Sequence, residues 1–252
     1  MTRRRAVSPE DQPKDGAQLP LFYKTMVPLS PEHHGALHLR PERDAGFAAS
    51  ANAIPLIADE FPRAMRDYPI VIAAGDVPTP AALVGFEPGK NDHVGADGAW
   101  EAGKYIPAYV RRYPFAFLKE SADSDRHILC ADVSSTQFSE TAGDGSPLFT
   151  DRAKTETVDR VLDFCKRYAT AAERTKRMMT EAQDLGLIGP SSVTITRGEA
   201  RRKVEGFSVI SEEKLRDLDD ATLADLARRG VLTLFSAHHI SLANFSAFGD
   251  EG

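Results

Sequence analysis

Histidine offers more chemistry than any other residue type in this sequence, because an imidazole ring can ligate metal ions and exchange protons near neutral pH. The chain has 7 histidines. His33, His34 and His38 form an HHxxxH pattern, and on a helix the last two would share one face at a spacing that chelates zinc. A glycine between them and a proline on either side favour a loop or short strand instead. We therefore predict no metal site here.

His238 and His239 form a second group. Neighbouring residues on a regular element point in different directions, so we expect one ring to pack against a backbone partner and the other to be exposed. The sequence has no GxSxG motif and no P-loop, and no sequence rule places a histidine beside Ser134, which follows Asp132. We therefore predict no catalytic residue and no cofactor. The alternative is an enzyme in which His238 pairs with an acidic residue such as Asp132, or in which His33, His34 and His38 gather a metal.

The segment over residues 100–115 is the richest in potential binding residues. It holds the only tryptophan, three tyrosines and two adjacent arginines: Trp100, Tyr105, Tyr109, Arg111, Arg112 and Tyr113. Aromatic side chains and arginine are enriched at interaction hot spots, and arginine pairs with carboxylate or phosphate groups. The same pattern also fits core aromatics with arginine stems packed across them. The segment is therefore either a recognition surface or part of the core.

The composition excludes several classes of function. The 252 residues carry 31 Lys+Arg against 37 Asp+Glu, which gives a formal net charge of −6. A general nucleic-acid binder needs a basic excess, so we expect no nucleic-acid partner. No run of apolar residues approaches the length of a membrane span, so no membrane-spanning helix is expected. Cys130 and Cys165 lie among apolar neighbours, which indicates reduced buried thiols; with no apolar export signal, the cytoplasm is the expected compartment.

Several segments can be assigned before the regular elements. Residues 1–20 hold four basic and three acidic side chains, three prolines and one leucine, so they cannot offset their ordering entropy by burial. We predict a disordered tail over 1–20 and a single domain over 21–248. Residues 134–152 are polar and rich in glycine, which favours a long loop.

Helical spacing is clearest over residues 157–185, where apolar side chains recur for eight turns and Gly186 follows at the position favoured after a helix. A second helix is predicted from about residue 54, with Asn52 as its cap. Three shorter helices are predicted nearer the C-terminus: one capped by Ser211, one capped by Asp219 or Asp220, and one over residues 241–248.

Short apolar runs predict the strands. They cover residues 68–74, 81–86, 115–118, 127–133, 193–196, 206–210 and 231–235. Residues 107–113 fit either a short helix or a strand. Helices and strands are interspersed without a regular βαβ rhythm, which predicts an α+β fold with a mainly antiparallel sheet, one long helix and several short helices.

Several segments, in this order, resemble the bacterial SapC family. They are YKTMVPL at residues 23–29, NAIPL at 52–56, EFPRA at 60–64, DYPIV at 67–71, LVG at 83–85, YIPAYVRRYPF at 105–115, GF at 206–207, KL at 214–215, and AH, SL and N at 237–238, 241–242 and 244. The resemblance covers about residues 20–248. It implies a link to surface-layer gene clusters and to TonB-dependent receptors, and it supplies no established catalytic residues. His93 and His239 depart from the family pattern, so neither is expected to be a family-wide ligand.

Together these observations predict a soluble, non-catalytic accessory or binding protein with a protein partner or a small ligand. The resemblance places it near surface-layer or TonB-dependent uptake systems. The candidate binding residues are Trp100, Tyr105, Tyr109, Arg111, Arg112, Tyr113, His238 and Asn244.

Overall fold

The structure is a computed structural model, and it describes residues 19–41, 44–73, 75, 77–119, 127–197 and 200–249. Residues 1–18 of the predicted tail lie outside the described residues. The chain divides into two compact units. Unit 1 comprises Met1–Asp44 and Arg112–Ala169, and unit 2 comprises Ala45–Arg111 and Thr170–Gly252. The single-domain organisation of residues 21–248 stays a prediction.

The regular elements are numbered in chain order. The strands are β1 (Met26–Pro28), β2 (His38–Leu39), β3 (Ala53–Pro55), β4 (Ile70–Ala73), β5 (Thr79–Leu83), β6 (Phe115–Lys119), β7 (His127–Asp132), β8 (Phe138–Ser139), β9 (Ser146–Pro147), β10 (Phe149–Thr150), β11 (Ala153–Lys154), β12 (Ile188–Arg197) and β13 (Ala200–Ile210). The α-helices are α1 (Pro31–His34), α2 (Phe61–Ala64), α3 (Ala108–Arg111), α4 (Glu156–Asp184), α5 (Glu212–Arg216), α6 (Asp220–Arg228) and α7 (Val231–Ser241). Short 3-10 helices cover Gly46–Ala48, Ala58–Glu60 and Leu242–Phe248.

Unit 1 is built on small antiparallel sheets. One has the strand order β1-β7-β6, a second has the order β8-β2-β9, and β10 pairs with β11. The core between them and the first half of α4 buries Phe115, Leu148, Val158 and Cys165. Three of the short strands fall within residues 134–152, so the long loop predicted there is only partly correct.

Unit 2 is built on one five-stranded antiparallel sheet with the strand order β12-β13-β4-β5-β3. The strands predicted over residues 68–74 and 81–86 correspond to β4 and β5, which pair antiparallel with Ile70 opposite Ala82. Val71, Leu83, Phe207 and Phe245 belong to the core cluster packed on this sheet. The α+β class with antiparallel sheets and one long helix is therefore confirmed.

The helix signals in the sequence are largely confirmed. The long helix α4 begins and ends within one residue of its predicted limits, and Gly186 follows it at φ +69°. Ser211 caps α5 by accepting a hydrogen bond from the Lys214 amide, and Asp219 caps α6 through the Ala221 and Thr222 amides. Residues 107–113, left open between helix and strand, contain α3.

Two sequence predictions are wrong. The helix expected from residue 54 is instead β3 followed by the 3-10 helix and the four-residue α2, because Ile54 pairs with Ala82 across the sheet. Pro62, which lacks an amide hydrogen, lies in the first turn of α2 rather than inside a longer helix. The strand expected over 231–235 is the start of α7, which follows Gly230 at φ +75°. Across the described ranges, no helix has the length and apolar character needed to cross a membrane.

Candidate functional site

A cleft in unit 2 gathers four basic side chains from two segments of the chain. We call it the cationic cleft; it has a volume of about 460 Å³ and is lined by Arg63, Arg66, Asp67, Gly103, Lys104, Tyr105, Ile106 and Arg111. The first three of these residues lie on α2 and the turn after it, and the others precede α3 or end it. Four cations face one carboxylate in a protein whose net charge is −6, so the cleft concentrates positive charge on an acidic chain.

The buried carboxylate of Glu60 fixes the position of Tyr105 in this cleft. Glu60 is only 3% exposed. Its Oε1 accepts hydrogen bonds from the Tyr105 hydroxyl at 2.8 Å and the Ala108 amide at 2.6 Å, and its Oε2 accepts one from the Ile57 amide at 3.0 Å. Burial raises the pKa of Glu60, and these three hydrogen bonds and the nearby Arg111 oppose the rise.

Tyr105 in turn positions Arg111. The Arg111 Nη2 donates a hydrogen bond to the Tyr105 hydroxyl at 3.1 Å, and its guanidinium lies 5.7 Å from the centre of the Tyr105 ring. Burial and the neighbouring Glu60 raise the pKa of Tyr105 to about 12, so the phenol stays protonated and can donate to the carboxylate. Two successive hydrogen bonds therefore connect Glu60 to Tyr105 and Tyr105 to Arg111, and they hold the Arg111 guanidinium at the cleft.

Trp100 is connected to the Tyr105 segment by hydrogen bonds through a second tyrosine, Tyr68. The Trp100 indole donates to the hydroxyl of the buried Tyr68 at 3.1 Å, and that hydroxyl donates to the Tyr105 carbonyl at 2.7 Å. Asp67 accepts a hydrogen bond from the Tyr105 amide at 2.9 Å. His93 stacks on Trp100 and bonds Glu101 at 2.5 Å. Trp100 is therefore tied to the cleft by two successive hydrogen bonds.

The charges of the cleft are only partly neutralised. Lys104 Nζ lies 3.7 Å from the Asp67 carboxylate. Arg63 and Arg66 are exposed and form no ion pair with a residue that the structure describes. These two guanidinium groups can pair with a carboxylate or phosphate from outside at little desolvation cost.

The other candidates in this segment take different positions. Tyr109 in unit 2 is 7% exposed and belongs to the core. Arg112 belongs to unit 1, where its guanidinium lies 5.6 Å from the centre of the Tyr23 ring and 4.7 Å from that of Tyr168. Tyr113, also buried, packs edge-on against Tyr23. The segment therefore contains both core residues and cleft residues: Tyr109 and Tyr113 are buried in the core, and Tyr105 and Arg111 line the cleft.

His238 and Asn244 bond backbone atoms of unit 2. The Nε2 of His238, a residue 1% exposed, accepts a hydrogen bond from the Ile210 amide at 3.1 Å, and the Nε2–H of His239 donates to the Ile210 carbonyl at 2.8 Å. Burial lowers the pKa of His238 to about 4, so its ring is neutral near pH 7. The Asn244 amide donates to the Met65 carbonyl at 2.8 Å. A ligand contact by His238 or Asn244 stays a prediction.

The residues of the enzyme alternative are held by local contacts. His34 Nδ1 accepts a hydrogen bond from the Ser30 amide, and His38 Nδ1 bonds the Ala36 carbonyl. Within the described part of the chain, no group of three or more histidine, cysteine, aspartate or glutamate side chains could hold a metal ion. Asp132 is fully buried, and its carboxylate accepts hydrogen bonds from the Lys24, Thr25 and Ser134 amides. Cys130 and Cys165 are free and buried, as predicted, and burial raises the pKa of each to about 11.

Comparison with known proteins assigns the chain to a family. The SapC family model matches residues 29–248. The chain belongs to the SapC family. The resemblance seen in the sequence is thereby confirmed, and the SapC match includes every residue that lines the cationic cleft. No curated protein and no solved structure matches the chain.

Sequence reasoning did not single out Glu60, Arg63, Arg66 or Lys104. A signal for some of them was present, because Glu60 and Arg63 belong to the EFPRA segment that resembles SapC proteins. Their place beside Tyr105 depends on contacts between residues about 40 positions apart, such as the 45-residue separation of Glu60 and Tyr105. No local spacing encodes such a contact.

Proposed function

We propose that this SapC protein is a non-catalytic binding protein, and that the cationic cleft receives a carboxylate or phosphate group of its ligand or partner. The observation that carries the proposal is the charge of the cleft: four basic side chains and one carboxylate on a chain of net charge −6. A uniformly acidic surface would repel an anion, whereas a local basic cleft attracts and orients it.

The geometry supports selective rather than diffuse attraction. Arg111 is aligned by Tyr105, which is held by the buried Glu60, so this guanidinium loses little rotamer freedom on binding. Arg63 and Arg66 are exposed on the opposite segment and can adapt to the incoming anion. One aligned and two adaptable arginines suit a ligand with more than one anionic oxygen.

The setting of this binding function is part of the same proposal. The family association with surface-layer gene clusters and TonB-dependent receptors points to a partner in one of those systems. The proposed compartment is the cytoplasm, and the two buried free thiols support it because they fit a reducing environment. A non-catalytic role is supported by His238 and Asp132, whose polar atoms bond backbone amides.

The test is charge reversal in the cleft. In the double variant Arg63→Glu/Arg66→Glu, an acidic partner captured from the host by the tagged protein, or an anionic ligand co-purified with it, should bind at least about tenfold more weakly. Capture is quantified by mass spectrometry at matched bait concentration. Thermal stability should stay near that of the wild type, because both arginines are exposed.

The matched control is Arg216→Glu/Arg228→Glu, which reverses two exposed arginines of α5 and α6 in the same unit. Each double variant replaces two positive charges by two negative ones, which changes the net charge from −6 to −10. Equal loss of capture in both would show a nonspecific charge effect. Unchanged capture in the cleft variant would refute the proposed function.

A further inference from the structure

A second cleft lies in unit 1, and its lining has two distinct parts. The floor is apolar and is formed by Leu29, Pro31, Phe117, Leu129, Phe149, Val158 and Leu162. The rim is basic and is formed by His127, Arg152, Lys154 and Lys166. We call it the amphipathic cleft; its volume of about 470 Å³ falls in the range of small-molecule sites.

The side chains of the cleft floor belong to the core of unit 1 or pack against it. Phe149 and Val158 belong to the buried core cluster, and Leu29, Phe117 and Leu129 are half-buried side chains packed against it. Side chains on the exposed border of a core are already partly desolvated, so an apolar ligand placed on them would complete their burial. The cleft is thus an accessible extension of the hydrophobic core.

On one face of helix α4, the side chains that line the cleft change from apolar to basic along the helix; we call this row of side chains the stripe. Val158, Leu162 and Lys166 are spaced by four residues, so they lie one above the other on the same face of the helix. All three line the cleft, and their exposure increases from the buried Val158 through the half-buried Leu162 to the exposed Lys166. A linear molecule lying along this stripe would meet apolar side chains first and an ammonium group at its end.

The basic side chains of the rim differ from one another in how far nearby carboxylates neutralise their charge. Arg152 pairs with Glu32 at 2.5 Å, and Lys154 Nζ lies 3.7 Å from Asp159. Lys166 forms no ion pair with any residue in the described ranges, so it carries the most available positive charge of the rim. Charge complementarity therefore favours an anionic head group at the Lys166 end of the stripe.

We propose that the amphipathic cleft binds the free anion of a single-chain aliphatic carboxylic acid, with the alkyl chain on the apolar floor and the carboxylate at Lys166. An alkyl chain has no polar atoms along its length. A peptide would bring backbone N–H and C=O groups onto an apolar floor, where unpaired groups are costly. This site is separate from the cationic cleft and does not depend on the function proposed for it.

The chain-length dependence of binding tests the apolar floor. Octanoate, nonanoate and decanoate are titrated into the full-length protein by isothermal titration calorimetry, below the concentrations at which they form micelles. Each added methylene group should tighten binding by about fourfold until the floor is filled. Affinity that does not change with chain length would overturn the proposal, as would the absence of binding for all three acids.

The head group and the position of the site are tested with variants and decanoate. Lys166→Glu should weaken decanoate binding about tenfold, because reversal removes an attraction and adds a repulsion. The control Arg167→Glu reverses the neighbouring charge, which lies off the stripe, and should leave the affinity unchanged. Decyltrimethylammonium, with the same chain and a cationic head, should bind at least about tenfold more weakly than decanoate.

Three outcomes of these head-group and probe comparisons would refute this site. They are equal effects of Lys166→Glu and Arg167→Glu, equal binding of the cationic and anionic probes, and binding to phosphatidylglycerol vesicles without binding to free decanoate. Arg63→Glu/Arg66→Glu, in the other unit, should leave decanoate affinity unchanged. Loss of decanoate binding in that variant would place the acid in the cationic cleft and would also refute the amphipathic site.

Discussion

Glu60→Ala is expected to lower the free energy of unfolding by about 3–5 kcal/mol, because it leaves two backbone amides and the Tyr105 hydroxyl without their acceptor in a buried site. Glu60→Gln should cost less, about 1–3 kcal/mol, since its carbonyl can still accept at one side while its amide faces a donor at the other. Urea unfolding followed by the fluorescence of Trp100, the only tryptophan and part of the same unit, measures both.

The control for this prediction is Glu173→Ala, which removes an exposed carboxylate of α4 in the same unit. It should change stability by no more than about 0.5 kcal/mol. If Glu60→Ala were as stable as the wild type, Tyr105 and the Ile57 and Ala108 amides would have other acceptors, and the alignment of Arg111 through Tyr105 would need another cause.

His238 should make unit 2 less stable in acid. Burial lowers the pKa of His238 from 6.5 to about 4, so between these values the unfolded chain binds a proton that the folded chain does not. The stabilising contribution of the neutral ring is therefore complete above about pH 6.5 and is lost as the pH falls toward 4. A shift of this size corresponds to about 3 kcal/mol.

The variant His238→Gln isolates this contribution. A glutamine carbonyl can accept the Ile210 amide hydrogen in place of Nε2, and it does not titrate. The loss of unfolding free energy between pH 7 and pH 4 should be about 3 kcal/mol smaller in this variant than in the wild type, measured by urea unfolding. The control Thr233→Ala, at an exposed and non-titrating position of the same helix, should keep the wild-type pH dependence. Identical pH dependence of His238→Gln and wild type would contradict the neutral buried ring.

Sequence reasoning succeeded where the signal is local. The repeat of apolar residues over α4, the glycine after it and the caps Ser211 and Asp219 all act within a few residues, and each is confirmed. It failed at β3 and α7. Residues 53–55 keep helical spacing with the residues after them, yet pairing with β5 determines their conformation. Residues 231–235 are strand-like in composition but continue into an 11-residue helix.

The candidate site was only half predictable for the same reason. The residue types of the 100–115 segment fitted either a recognition surface or the core; Tyr105 and Arg111 line the cationic cleft, whereas Tyr109 and Tyr113 are buried. The adjacent Arg111 and Arg112, however, fall in different units with different tyrosine neighbours, which no sequence spacing indicates. Arg63 and Arg66 share the cleft with Tyr105, which is held there by hydrogen bonds to Glu60, Asp67 and Tyr68.

The most direct test of an anion-binding cationic cleft is a titration of the purified protein with citrate and pyrophosphate at low salt. Trp100 reports it, because its indole is linked to Tyr105 through the Tyr68 hydroxyl. We predict a saturable fluorescence change for at least one anion, weakened by added salt and by Arg63→Glu/Arg66→Glu but not by Arg216→Glu/Arg228→Glu. A Kd of about 10 mM corresponds to a binding free energy of only about 3 kcal/mol. No saturable change up to that concentration of either anion would therefore contradict anion binding in the cationic cleft.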